Sequence, residues 1–252
     1  MLFRVSKFAE KLFGFLGYRI MALNNGIHVD MDPEFKEIYE LCKDYTATTM
    51  EEMYSLYKAV EYVTNSKIQG DFVECGVWKG GSSMIMAKTL SKLNDSSRKI
   101  YLYDTYSGMT EPGDKDLRIF DSLPAINVWK RKQKANHNSW SYSSLEEVQK
   151  NMALTEYTSK NLVYVKGKVE ETISKEAPKK IALLRLDTDW YESTYCELVQ
   201  LYPLLAEGGV LIIDDYGHWK GAKEAVDKYL KENNIKTPLI RLSRGNRLLI
   251  KN

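Results

Sequence analysis

Cysteine is scarce in this sequence: Cys42, Cys75 and Cys196 are the only three among 252 residues. Their number is odd, their spacing is wide and none pairs into a metal or redox motif, which argues against a disulfide framework and makes a reducing cytoplasm the default setting. Histidine is equally scarce, and His28, His137 and His218 show no zinc-ligand spacing. An excess of one charge is also missing. Lys plus Arg number 36 against 34 Asp plus Glu, a net charge of +2, so the electrostatic case for nucleic-acid binding is absent. No apolar run approaches the ~20 residues that span a bilayer, and the hydrophobic fraction of 44% excludes disorder.

The first residues mix Phe and Leu with Arg4, Lys7, Glu10 and Lys11. Those charges, and the lack of a small-residue cleavage site, rule out a signal peptide. Leu2, Phe3, Val5, Phe8, Leu12, Phe13, Phe15 and Leu16 follow helical spacing. They predict an amphipathic helix docked on its own domain or a sister subunit, with a membrane surface as the alternative. Residues 28 to 69 read as further helix, with cap-type residues from Asp44 to Met50 ahead of Met53, Leu56, Tyr57, Val60 and Val63 at helical spacing. Residues 1–69 are therefore expected to form an N-terminal helical extension.

From Gly70 onward β-rich runs alternate with helical patterns. The runs Phe72 to Val77, Lys99 to Thr105, Leu162 to Lys166, Ile181 to Asp187 and Gly209 to Asp214 predict strands. Ser82 to Leu93, Ser144 to Leu154, Val169 to Lys175 and Tyr191 to Leu205 predict helices between them. This is the signature of an α/β fold with a doubly wound, mostly parallel sheet. Leu239 to Leu242 and Arg247 to Ile250, around the turn Ser243-Arg244-Gly245-Asn246, predict a closing antiparallel hairpin and bring the count to seven strands. One connection, about 106–143, is long and carries Lys130-Arg131-Lys132. It follows the carboxyl end of a strand, the ligand side of such sheets, and reads as a substrate lid, with a disordered insertion as the alternative.

The first strand of this region runs through Glu74-Cys75-Gly76-Val77-Trp78-Lys79-Gly80-Gly81-Ser82 into a helix. Glycines there let a ligand approach the backbone, and Ser82 is a candidate helix cap. The spacing of Gly76, Gly80 and Gly81 fits neither a dinucleotide fingerprint nor a P-loop. An acidic Glu74 before such a turn suits a cofactor with a cationic amine and no phosphate, as in S-adenosylmethionine. Asp104, ending the next strand, is placed to accept from both ribose hydroxyls.

Two further strands end in Asp187-Thr188-Asp189 and Asp214-Asp215. Neighbouring strands would bring these carboxylates together, and a hard cation such as Mg²⁺ would relieve their repulsion. The plainer alternative makes each Asp a cap of the following helix. His218 lies three residues past Asp215.

These stretches, with Tyr103 to Met109 and Gly167-Lys168-Val169-Glu170, resemble the macrocin O-methyltransferase family over roughly residues 44 to 232. The resemblance implies a class I, Rossmann-like methyltransferase domain over 70–252, S-adenosylmethionine, Mg²⁺ and a homodimer or higher homo-oligomer. It maps metal ligands onto Asp187, Asp214 and Asp215 and cofactor contacts onto Glu74, Gly76, Ser82 and Asp104. By the same mapping Gly167, Val169 and Glu170 lie near the adenine. The implied reaction moves a methyl group to a hydroxyl of a sugar or sugar-bearing small molecule. Asp187 is the preferred proton acceptor over Asp189 and His218, and Trp129, Trp140, Trp190, Tyr191, Tyr216 and Trp219 are candidates to stack on a sugar. The leading rival is a metal-dependent glycosyltransferase using Asp187-Thr188-Asp189. A nicotinamide oxidoreductase and a catalytically inactive partner subunit are weaker alternatives.

Overall fold

In the computed structural model, residues 26–252, Phe15, Leu23 and Asn24 are described. The helix expected over residues 2–16 falls outside them except at Phe15. Two short strands, β1 (Leu23–Asn24) and β2 (Ile27–His28), pair antiparallel ahead of helices α1 (Phe35–Cys42) and α2 (Met50–Asn65). Helix α2 starts where Thr49 and Glu52 close a capping box: each side chain accepts from the other's backbone N–H.

The main sheet contains β3 (Asp71–Cys75), β4 (Ile100–Asp104), β5 (Leu162–Lys166), β6 (Ile181–Leu186), β7 (Leu205–Ile213), β8 (Ile240–Arg241) and β9 (Arg247–Ile250). Their spatial order is β5-β4-β3-β6-β7-β9-β8; β3 to β7 run parallel, and β9 is antiparallel to both β7 and β8. The chain enters at central β3, moves outward through β4 and β5, and returns to β6 on the other side. The topological switch point is therefore the β3/β6 boundary, where ligands bind in open α/β sheets.

Successive strand residues face opposite layers. Phe72, Ile100, Leu102 and Ile212 pack on one side with α1, α2 and α3 (Gly81–Lys92). Val73, Tyr101, Tyr103, Leu184 and Leu211 pack on the other with α7 (Tyr191–Leu201) and α8 (Lys220–Glu232). The N-terminal helices thus share the core of the sheet.

Three expectations change. The helix from Tyr191 ends at Leu201; a 3-10 turn containing Pro203 follows, and Leu205 already begins β7. Helix α6 is the single turn Val169–Thr172, not a run to Lys175. Helix α8 was not anticipated. Its buried residues Gly221, Ala222, Ala225, Val226 and Tyr229 include three too small to give a strong apolar pattern.

The 106–143 insertion is folded and hydrogen-bonded, not a disordered loop. It contains α4 (Ile126–Lys132), bridges Leu117 to Pro124 and Gln133 to Asn138, and joins Arg118 to Trp219. Helix α5 (Leu145–Ala153) follows it, capped by Ser144. Trp140, Trp190 and Trp219 meet with ring centroids 5.1–6.0 Å apart. Buried Asp116 accepts from the backbone N–H of Tyr191 at 2.9 Å and of Gly113 at 2.8 Å. The insertion, not Asp189, therefore caps α7.

Asp116→Ala leaves the buried Tyr191 N–H unpaired and returns the exposed Gly113 N–H to solvent. We expect a loss of about 1–3 kcal/mol, read as a lower urea midpoint at unchanged slope; an unchanged midpoint would mean that the cap is dispensable.

Candidate active site

The backbone ladder continues past the strand ends and holds their tips together. Gly76 N donates to Tyr103 O at 2.9 Å, Asp187 N to Cys75 O at 2.8 Å, Asp214 N to Leu186 O at 2.9 Å and Gly167 N to Asp104 O at 3.0 Å. These tips surround a cavity of about 580 Å³, within the range of small-molecule sites. Gly76 has φ +83°, and a Cβ there would lie 1.9 Å from the Asp187 carbonyl oxygen. Only glycine fits where the first turn crosses the fourth strand of the parallel set.

Of the expected cofactor residues, Glu74, Gly76, Gly81, Ser82, Asp104, Gly167, Val169 and Glu170 line this cavity; Gly80 does not. Gly80 has φ +94° at the start of α3, and a Cβ there would face Val148 and Met152 of α5. Its role is to turn the backbone. A Cβ on Gly81 would lie 2.6 Å from Thr46 and from the Tyr45 carbonyl, so this glycine admits the chain before α2.

Asp104 braces the glycine turn. Its Oδ2 accepts from Val77 N at 2.7 Å and Trp78 N at 3.1 Å, and its Oδ1 from Tyr106 N at 2.7 Å. Trp78 has φ +48°, a strained conformation that this bond supports. Backbone donors thus take three of the roughly four acceptor positions of Asp104, and Thr105 Oγ1 lies 3.5 Å from Oδ1. Burial raises the Asp104 pKa, opposed by the three backbone donors.

Arg185 organises the carboxylates. Buried near the carboxyl end of β6, its guanidinium donates to Glu74 at 2.8 Å, to Asp187 at 2.7 Å and to Asp214. Glu74 is buried, and its other oxygen accepts from Ser83; both its oxygens are thus engaged within the protein. Burial works against the charge of Arg185, but Asp187 and Glu74 hold it more firmly protonated than usual. One carboxylate oxygen each from Asp187, Asp214 and Asp215 lie within 4.8 Å of one another. Asp214 also accepts from Asn246 at 2.7 Å, whereas Asp215 Oδ2 is buried with no hydrogen-bond partner.

Asp189 has φ +68° and accepts from Trp219 Nε1 at 2.7 Å. Burial raises its pKa, and the negative charge of Asp215 adds to the shift. Burial likewise raises Asp187, with Arg185 opposing. His218 Nδ1 lies 3.8 Å from Asp215, which raises the imidazole pKa. Trp140 and Trp219 line the cavity; Trp129, Trp190, Tyr191 and Tyr216 do not. Trp129 and Trp190 instead donate to Met109 O and Thr110 O.

The profile of the macrocin O-methyltransferase family, TylF, matches residues 42–245. The chain belongs to this family. Over 200 residues it is 30% identical to demethyldecarbamoylnovobiocin O-methyltransferase of Streptomyces niveus, covering 79% of this chain and 73% of that one. It is also 30% identical over 201 residues to 8-demethyl-8-(2,3-dimethoxy-alpha-L-rhamnosyl)-tetracenomycin-C 4'-O-methyltransferase of Streptomyces olivaceus, covering 77% and 71%. The structure of the O-methyltransferase NovP superposes with a TM-score of 0.73 at 27% identity, covering 82% of each chain.

This macrocin O-methyltransferase family member is thus an S-adenosylmethionine-dependent O-methyltransferase. The glycosyltransferase reading falls with that assignment. The two acids of Asp187-Thr188-Asp189 also diverge, one toward Arg185 and the other toward Trp219. The sequence signal for Arg185 is a charge inside the apolar run Ile181 to Leu186, because a buried charge needs partners.

Removing that charge leaves buried carboxylates uncompensated. Arg185→Met should lower the unfolding free energy by about 3–5 kcal/mol in urea denaturation; a loss below about 1 kcal/mol would show the cluster to be held by the backbone alone.

Proposed function

We propose that this enzyme methylates a hydroxyl of a sugar or sugar-bearing small molecule and that Asp187, Asp214 and Asp215 hold a Mg²⁺ ion for the reaction. The observation that carries the metal is the buried, unpartnered Asp215 Oδ2 beside two further carboxylates. Arg185 offsets part of the charge. One guanidinium serves Glu74, Asp187 and Asp214, with Asp189 and Asp215 beyond it. Oxygen ligands of this kind suit a hard divalent cation. Once bound, Mg²⁺ would supply Lewis acidity and lower the pKa of the acceptor hydroxyl.

The glycine turn at Gly76 and Gly81, Ser82, Asp104 and the Gly167-to-Glu170 segment would hold S-adenosylmethionine, which would supply an electrophilic methyl group. The acceptor oxygen forms a bond to the methyl carbon as the carbon–sulfur bond breaks. The electron pair of that bond would leave with the sulfur as a neutral thioether, and a carboxylate of the site takes the hydroxyl proton. The protein must hold oxygen, carbon and sulfur nearly in line. Asp187 takes the proton because it stands at the strand tip and is the more open member of the metal set, with a side chain 32% exposed against 11% for Asp214. One observation favours Asp189 as a second reading: Asp187 gives Oδ2 to Arg185, which weakens it as a base, while Asp189 accepts from the neutral Trp219 indole.

Metal binding can be read without an acceptor. Asp215→Asn should weaken binding of Mn²⁺, followed by electron paramagnetic resonance with Mg²⁺ as competitor, at least about tenfold, which is about 1.4 kcal/mol. S-adenosylhomocysteine affinity should stay within about twofold. Unchanged Mn²⁺ affinity would remove the metal from this reading.

The proton acceptor is decided by turnover at saturating Mg²⁺. A loss of about 100-fold or more, the lower end for general-base catalysis, is expected for Asp187→Asn. If that variant turns over normally and Asp189→Asn does not, Asp189 takes the proton.

A further inference from the structure

The cavity reverses its charge from floor to mouth. On the floor, Asp214 and Asp215 are buried and acidic; at the mouth, Arg118, Phe120 and Arg244 are exposed. Phe120 is 79% exposed, a large apolar face held in water, and the Arg244 guanidinium lies 5.6 Å from its ring centroid. Arg244 has no hydrogen-bond or carboxylate partner among the described residues. Arg118 pairs with Asp121, and Lys220 donates to Ser122 rather than to an acid.

These groups are fixed to the floor. Ile119 N donates to His218 O at 2.8 Å and Arg118 bridges to Trp219, which ties the strip bearing Arg118 and Phe120 to the segment after Asp215. Gly217 N donates to Gly245 O at 2.9 Å, and a Cβ on Gly245 would lie 2.9 Å from Asp214 O. The turn carrying Arg244 therefore rests directly on the acidic tip.

A neutral glycoside makes no use of cations at the mouth. A ligand that combines a sugar, an anionic centre and a flat aromatic ring meets the carboxylates of the floor, the guanidinium of Arg244 and the face of Phe120. We infer that the acceptor is a nucleoside diphosphate sugar, with its sugar at the carboxylates, its diphosphate between Arg118 and Arg244 and its base against Phe120; this rests on the methyltransferase reading of the site. Guanidinium groups suit phosphate oxygens because their N–H donors form a planar fork, and an aromatic face stacks on any base.

The test uses the full chain saturated with S-adenosylhomocysteine, with Mg²⁺ present, and titrates uridine diphosphate by calorimetry. Wild type should bind it, and Arg244→Ala should weaken binding at least about tenfold. Phe120→Ala should weaken uridine diphosphate by several-fold while leaving inorganic pyrophosphate unchanged. S-adenosylhomocysteine affinity should be the same in all three proteins. No binding to wild type, or equal binding to wild type and Arg244→Ala, would overturn the inference and leave the methyltransferase reading intact. Failure to bind S-adenosylhomocysteine at all would instead strike that reading.

Discussion

Three carboxylates from three adjacent strands, Glu74 on β3, Asp187 after β6 and Asp214 after β7, converge on the one buried guanidinium of Arg185. That convergence requires the observed strand order, because β6 lies between β3 and β7 and only a central strand can reach both neighbours. Pleating then places Arg185 and Asp187, two residues apart, on one side while Leu184 and Leu186 fill the opposite core. A buried ion cluster of this kind is weak evidence for stability but a strong constraint on arrangement, since any displacement leaves a charge unpaired in a dry interior. Arg185 leaves part of the carboxylate charge around the cavity uncompensated.

The same economy links the glycine turn to the acidic tips. Gly76 passes so close to the Asp187 carbonyl that the glycine turn and the acidic strand tip share one backbone contact. Asp104 then spends most of its acceptor capacity on Val77, Trp78 and Tyr106. Several residues expected to touch ligand directly thus also build the walls, Glu74 through Ser83 and Arg185 being the clearest case.

The insertion closes the other side of the cavity by bonds to distant segments. Asp116 caps α7, Arg118 pairs with Trp219, and Trp140 packs on Trp190 and Trp219. Its wall of the site is therefore bonded to the segment from His218 to Lys220. Arg118 and Phe120 at the mouth and the carboxylates at the floor are tied together by backbone bonds.

The sequence by itself determined the alternation of strands and helices, the closing hairpin, the glycine at position 76 and the acidic ends of two strands. These are local signals: hydrophobic runs bounded by turn residues, and charged groups at the end of an apolar segment. Even the preference for the carboxyl edge followed from strand direction. Only the tertiary structure decided what each acid does. Arg185 was hidden because its partners lie 111 and 29 residues away in Glu74 and Asp214. Asp189 became a partner of Trp219 rather than a helix cap because Asp116, 75 residues earlier than Tyr191, had already taken that N–H. Gly81 needs its bareness for Tyr45 and Thr46, which no pattern around the glycine turn reveals. Periodicity and turn chemistry act between neighbours in the chain. The division of charge among five carboxylates and one guanidinium depends on which distant strands pack side by side.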